Sequence, residues 1–559
     1  MPFRLPPCAR PLLAWLLPGL LGAPLALADD PASQQLRDQQ QSLQQLEQRQ
    51  RLQRWQREPA APRREAAPAP ITGDNACWRV SGLRLAGNQR LARQALEPAV
   101  QPLMQPCMGI DAINRLLRAI TQHYVQAGYP TSRPYLRQAP RHGAPLDILI
   151  DEGFVEAIEL DADLPLSLAS AFPGQLGQPL YLPALEQGLD QLNRLRAFEL
   201  SADLLPGEQQ GATRVALQAR QVAPRWHLDS QLDNRGSALT GRHRLTLGTG
   251  VDSPLGLNDD LRLSFNTLAF AARGSSQGLS LYYSLPYGPW TFALNASQQR
   301  YDAPTPSSQR RSSGSSQQQG ASAERVLWRG PQGMLSATAR LDRKQLVNRH
   351  GDQVIALQSP TLTTVEAGLN LLWLEQGLWH ASLGIAQGTP WLGADRPADG
   401  NDAPRPDFRK YRASLLHLRQ GPAQWPWRWQ SELALQYSNT PLAAVEQFQL
   451  GSDTAVRGFR QRTYAGANAA VWRNTFSQAL PGQWTAPFGV RPYIALDQGW
   501  SQLTRGAPSQ RLSGVAAGVE LTAPHSRLRL DYQRALHASD TPRAHLEPGF
   551  WVVEWSLNL

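Results

Sequence analysis

The sequence predicts a membrane β-barrel of about 16 antiparallel strands, preceded by an N-terminal helix and two small α+β modules. Three observations lead there. An export leader opens the chain. After it, no apolar run of about 18 residues occurs, which excludes a helical membrane span. Beyond Pro224 apolar and polar residues alternate, with Trp and Tyr near the ends of the alternating segments.

The leader spans residues 1–28. Arg4 and Arg10 supply its charge, "PLLAWLLPGLLGAPL" its apolar stretch, and Ala26-Leu27-Ala28 its cleavage site before Asp29. Cys8 leaves with it, so Cys77 and Cys107 remain, an even pair that predicts a disulfide in an exported chain rather than two buried thiols. The formal charge of +10 falls to about +8 on removal of two arginines. Only Lys344 and Lys410 are lysines, and the arginines are spread along the chain rather than gathered in a patch. With no nucleic-acid-binding motif present, that class is excluded.

Within 29–57, residues 33–57 favour helix: Gln, Leu, Arg and Glu run on without Gly or Pro. Leu36, Leu43 and Leu46 share a face that Gln50 and Gln53 interrupt. So polar a helix belongs in water or a wet cavity. The Pro/Ala stretch within 58–75 is an extended linker, leaving the helix tethered and able to occupy a site elsewhere in the molecule. Residues 76–153 form the first module. "WRVSGLRLAGN" reads as a strand, Ile113, Leu116, Leu117, Ile120 and Tyr124 recur at helical spacing, and "PLDILIDEG" alternates as a strand. Residues 154–222 repeat the order with "VEAIEL", "LPALEQGLDQLNRLRAF" and "TRVALQARQ", a second β-α-β unit.

From 223 to 559 the texture is that of barrel strands. "DLRLSFN", "LSLYYSL", "WTFALNA" and "RLRLDYQ" alternate, and "WPWRWQSELALQY" sets Trp425, Trp427, Trp429, Leu433, Leu435 and Tyr437 on one face. A soluble sandwich also alternates, but aromatic residues at strand ends and so many segments favour the membrane barrel. The Ser/Gln-rich stretch from Tyr301 to Glu324 is expected to be a long outer loop. Gly274–Gly278, "GSSQG", matches a serine-hydrolase pattern with Ser276 as nucleophile. A strand-like segment follows it instead of a helix, so a turn between strands is expected. Neither the histidines nor the cysteines have metal-ligand spacing, and no catalytic constellation is evident.

One stretch does not fit a plain barrel. "TAVRGFRQRTYAG", Thr454–Gly466, places three arginines and two glycines between strands. Together with "YVQAGYPTSRPYL" ahead of Asp151-Glu152-Gly153, and with the order leader, polar helix, linker, two modules and barrel, it gives the chain a known outline. The whole mature chain resembles the outer-membrane transporters of two-partner secretion, the haemolysin and filamentous-haemagglutinin secretion proteins. Their periplasmic modules are polypeptide-transport-associated (POTRA) domains.

The resemblance implies that Val456, Arg457, Gly458 and Phe459 are the family's signature, in a loop around 447–470 folded into the barrel. A wet lumen tolerates a polar loop that lipid would not. The family pairs that arginine with an acidic residue on a lumen-facing strand. Here the matching stretch is "YIALDQG" and the residue Asp497, although Ala495 stands where the family has an aromatic residue or glycine. The last strand ends in Leu559 where such barrels usually end in Phe.

The resemblance further implies a helix that plugs the pore, a secreted haemolysin- or adhesin-like exoprotein as partner, and contact with outer-membrane lipid. It also implies use of the barrel-assembly machinery during biogenesis, action as a single copy, and no enzymatic step, cofactor, metal or nucleic acid. A passive porin needs no POTRA modules. An assembly factor of the same superfamily is the alternative; it usually carries more such domains and lacks the tethered helix.

Overall fold

The computed structural model describes residues 32–37, 39, 40, 44, 77–304, 310–396, 404–451, 454–482 and 487–559. The expected leader, the linker and most of the helix over 33–57 lie outside the described residues.

The first module packs the helix Ile110–Gln126 on a sheet ordered Leu83–Ala86, Leu146–Asp151, Arg133–Leu136, the first pair parallel and the second antiparallel. Ile113, Leu116, Ile120 and Tyr124 form one buried stripe against Leu146, Ile148 and Ile150. Burying each such side chain contributes roughly 1.5–3 kcal/mol. A separate ribbon pairs Cys77–Arg79 with Cys107–Gly109, and a disulfide joins Cys77 to Cys107 across a Cα separation of 5.4 Å.

The second module corrects the β-α-β expectation. Phe154–Leu160 runs parallel to Ala212–Val222, and an additional strand, Phe198–Pro206, lies antiparallel on the other side of Ala212–Val222. The helix Leu182–Asn193 stops earlier than its apolar spacing suggested. Asn193 ends it: its amide accepts from Leu200 N at 2.7 Å and donates to Leu200 O at 2.9 Å, turning the chain into the missed strand. Leu195, Ala197 and Phe198 are buried, but as turn and strand rather than helix.

Glu152 is held inside the first module, next to its boundary with the second. It accepts from Arg90 N at 2.7 Å and from the Tyr124 hydroxyl at 3.0 Å. Burial, and then the Glu152 carboxylate, push the Tyr124 phenol above its ordinary value, so it remains a donor at any physiological pH.

The barrel strands are β1 (Trp226–Asp233), β2 (Arg244–Asp252), β3 (Asp260–Leu268), β4 (Ser275–Tyr287), β5 (Trp290–Pro304) and β6 (Arg311–Gly330). They continue as β7 (Gly333–His350), β8 (Thr361–Leu374), β9 (Leu378–Thr389), β10 (Arg409–Gln420) and β11 (Trp427–Ser438). The last five are β12 (Asn468–Gln478), β13 (Gly489–Gln502), β14 (Ser509–Ala523), β15 (Ser526–Ala538) and β16 (Phe550–Asn558). All neighbours are antiparallel, and β16 closes on β1 from Glu554↔Asp233 to Asn558↔Asp229.

Polarity is inverted relative to a soluble sandwich. Lys344, Lys410, Gln436 and Asp497 are buried, whereas Leu294, Leu383, Ile494, Trp551 and Trp555 are exposed. Aromatic pairs band the outer surface: Trp328–Trp373 and Trp427–Phe476 near the modules, Tyr411–Tyr437 near the opposite end.

Two sequence expectations are corrected here. The Ser/Gln-rich stretch is mostly strand: Ser312–Arg325 pairs with both β5 and β7, and its Ser and Gln side chains suit a polar lumen wall as well as they suit a loop. "GSSQG" is the start of β4, paired with β5, rather than a turn.

The second module is bonded to the barrel mouth. Arg194 donates to Ser284 Oγ at 2.9 Å and Asn258 O at 2.8 Å, and Gln191 donates to Gly288 O at 3.1 Å. Arg329 on β6 pairs with Glu186 at 3.1 Å and also with Asp190.

Candidate functional site

Between β11 and β12 the chain turns into the lumen and crosses it. Its tip lies on the wall formed by β12 to β15. Arg457 makes a two-pronged contact with Asp497 on β13, Nε to Oδ2 and NH2 to Oδ1 both at 2.6 Å, while its backbone N donates to Oδ2 at 3.0 Å. NH2 also donates to Thr475 Oγ1 on β12 at 3.2 Å. Both charged side chains are nearly inaccessible, 3% and 1% exposed, so the fork geometry and the extra donors offset the desolvation.

Backbone shape brings the loop this close. Gly458 has φ +94°, in the left-handed region, and a Cβ there would lie 2.5 Å from the Arg534 carbonyl carbon on β15. On β14, where the register with β15 shifts between Ser513 and Gly514, a Cβ on Gly514 would lie 1.8 Å from Arg457 O. Gly458 N donates to Gln533 at 3.0 Å. Val456 and Phe459 are buried with Leu450, Tyr464, Val471, Leu512 and Ala535.

Sequence reasoning missed the rest of this anchorage. The Glu547 carboxylate accepts from the backbone N–H groups of Arg460, Gln461 and Arg462 at 2.8, 3.1 and 2.6 Å. Asp540 pairs with Arg462 at 2.7 Å and accepts from Tyr464. The Arg460 guanidinium lies 4.0 Å from the centre of the Phe550 ring. No local pattern marks Glu547 or Asp540; both belong to the connection between β15 and β16, far from the loop in sequence.

The opposite wall carries the described part of the N-terminal helix. Residues 32–37, 39, 40 and 44 are helical and lie inside the barrel. Ala32 and Leu36 pack with Tyr301, Leu346, Leu362, Ala443 and Val445. Polar contacts tie the helix to the wall: Gln35 to Ser276 at 2.8 Å, Gln39 to Gln299 at 3.1 Å and Gln40 to Gln318 at 3.3 Å. Ser276 therefore serves as a lumen acceptor. Beside the helix lies a cavity of about 340 Å³, lined in part by Arg340, Glu366, His380 and Arg412.

The chain as a whole matches known proteins. The family described as haemolysin secretion/activation protein ShlB/FhaC/HecB matches residues 211–521. A ShlB-type POTRA domain matches 78–153, and a further POTRA domain matches 154–206. The hemolysin transporter protein ShlB of Serratia marcescens is 34% identical over 84% of this chain and 82% of its own length. HpmB of Proteus mirabilis, also a hemolysin transporter protein, is 32% identical over 77% of each. The solved structure of CdiB from Escherichia coli superposes with a TM-score of 0.85 at 27% identity, covering 95% of this chain and 99% of that one.

With the same two POTRA domains, the same 16-strand barrel and relatives that are outer-membrane transporters, the protein belongs to the ShlB/FhaC/HecB family of haemolysin secretion/activation proteins, in the bacterial outer membrane with its POTRA domains in the periplasm.

Proposed function

We propose that this transporter takes an unfolded exoprotein, haemolysin- or adhesin-like, from the periplasm and passes it through the barrel to the cell surface. The observation that carries the reading is a lumen occupied by helical residues that precede the POTRA domains in the chain. Gln35, Gln39 and Gln40 meet the wall through amide and hydroxyl bonds, each contributing about 0.5–1.5 kcal/mol net, and the Arg37 guanidinium donates to a backbone carbonyl of the inward turn. A helix held this way can leave and return.

The POTRA domains capture the partner by strand addition at exposed sheet edges, where main-chain hydrogen bonds give modest, sequence-tolerant affinity. Leu83–Ala86 and Phe198–Pro206 are such edges. The fixed joint between the second POTRA domain and the barrel mouth delivers the partner to a constant position. The Arg457–Asp497 contact holds the conducting arrangement of the loop. Transport needs no catalytic step or cofactor; folding outside the cell biases the movement outward. The barrel contacts outer-membrane lipid, depends on the assembly machinery for insertion, and acts as a single copy.

The test is site-specific crosslinking from residues 76–222 in living cells, with identification of what is trapped. One long exported polypeptide, recovered repeatedly, is the expected result. A mixture of unrelated nascent outer-membrane barrels would make the protein an assembly factor instead.

A further inference from the structure

The chain holds two lysines, and both grip one carboxylate. Lys344 on β7 lies 2.6 Å from Glu446 Oε1, and Lys410 on β10 lies 2.5 Å from Glu446 Oε2. The three side chains are 7%, 8% and 1% exposed in the barrel interior. Glu446 ends a single 3-10 turn, Ala444–Glu446, just where the inward chain leaves β11. Its backbone is held as well: Gln436 on β11 donates to Glu446 O at 3.0 Å, and Lys410 Nζ reaches the same oxygen at 3.3 Å. This anchor sits at the start of the inward chain and is separate from the Arg457 anchor at its tip.

The turn has two faces. One carries Glu446 to the wall. The other meets the helix: Ala443 and Val445 pack with Ala32 and Leu36, and Ala444 O accepts from Arg37 NH1 at 2.5 Å. The surface on which the helix rests is therefore set by the ion triad behind it.

We propose that Glu446, clamped by Lys344 and Lys410, is the positioning residue for the helix: the triad holds the Ala443–Glu446 turn as its seat and so sets the fraction of time the lumen is occupied. This deepens the transport reading and rests on it. Replacing the carboxylate by an amide leaves two buried ammonium groups without their shared counter-charge, and the turn moves off the wall. Coupling is reciprocal: if the clamp favours helix docking, helix docking favours the clamp by the same factor.

Two measurements decide it. The first leaves the clamp unmutated. Lys344 and Lys410 in the full chain are labelled with an amine-reactive reagent and quantified by mass spectrometry, then compared with a chain lacking residues 32–44. Labelling is expected to rise about tenfold on deletion. Equal shielding in both chains overturns the coupling.

The second joins Gln35→Cys to Ser276→Cys with a short thiol-reactive linker, with and without Glu446→Gln, scoring only barrels that keep folded gel mobility. Glu446→Gln is expected to lower the joined fraction by about tenfold, and an unchanged fraction overturns the proposal. If the Cys pair fails to join even with Glu446 intact, the lumenal helix itself is refuted, and this inference falls with it. Should Glu446→Gln prevent assembly, the labelling comparison decides alone.

Discussion

Arg457→Ala is the sharpest perturbation of the loop tip. It deletes both prongs to Asp497 and the bond to Thr475, while Asp497 stays buried. Breaking a buried ion pair from one side costs about 3–5 kcal/mol. Two groups soften the loss: the backbone N of residue 457 still donates at 3.0 Å, and Arg473 lies 3.9 Å from Asp497 Oδ1. The expected cost is thus about 3 kcal/mol, or roughly a hundredfold in the docked-to-undocked ratio.

Limited trypsin digestion of outer-membrane vesicles measures that ratio. Arg460 and Arg462 have their backbone N–H groups held by Glu547 in the docked loop, and cleavage there follows the open population when opening is fast. Cleavage is expected to quicken by about two orders of magnitude, with export falling and barrel amounts unchanged. Arg457→Lys is expected to recover little, because an ammonium cannot reproduce the fork. Removing both Arg457 and Asp497 should be milder than the sum of the single changes. A variant with unchanged cleavage and normal export would refute the reasoning.

Other consequences are equally direct. Leu36→Ala removes a fully buried side chain from the helix–barrel contact; a loss of about 2–3 kcal/mol is expected to raise ion conductance in planar bilayers, whereas unchanged conductance would mean this contact does not hold the helix. Gly514→Ala forces a Cβ to within 1.8 Å of Arg457 O and is expected to mimic Arg457→Ala in the trypsin assay while the barrel still folds. Replacing Cys77 and Cys107 by Ser opens a link across 30 residues, and the first POTRA domain should lose roughly 3–4 kcal/mol, read as earlier proteolysis of that domain within the intact chain. Arg194→Ala leaves Ser284 and Asn258 without their buried donor, and faster hydrogen exchange is expected along Leu182–Asn193.

The barrel was legible because its physics is written residue by residue: a wall with lipid outside and water inside must alternate. That same property hid β6. Ser316 and Gln318 face a wet lumen while Gln317 and Gln319, on the alternate positions, are exposed, so the composition of this strand converges on that of an exposed loop. The strand Phe198–Pro206 was lost for a different reason. Leu195, Ala197 and Phe198 continue the spacing of the preceding helix, and only the Asn193–Leu200 bonds reveal the turn. At the loop, the Arg-Gly-Phe motif and the strand holding Asp497 each stand out locally. Glu547, Asp540 and the Glu446 clamp do not, because each is defined by a partner far away in the chain.

The height of the wall has its own consequence. β7 continues for five residues beyond its last pair with β8, from Leu346 to His350, still hydrogen-bonded to β6. At about 3.3 Å per residue this adds roughly 16 Å of strand to one side of the outer mouth, a smaller rise along the barrel axis because the strands are tilted. The pore therefore opens onto the cell surface beneath a one-sided awning of paired strands. A polypeptide leaving by that route would meet paired strands on one flank of the mouth.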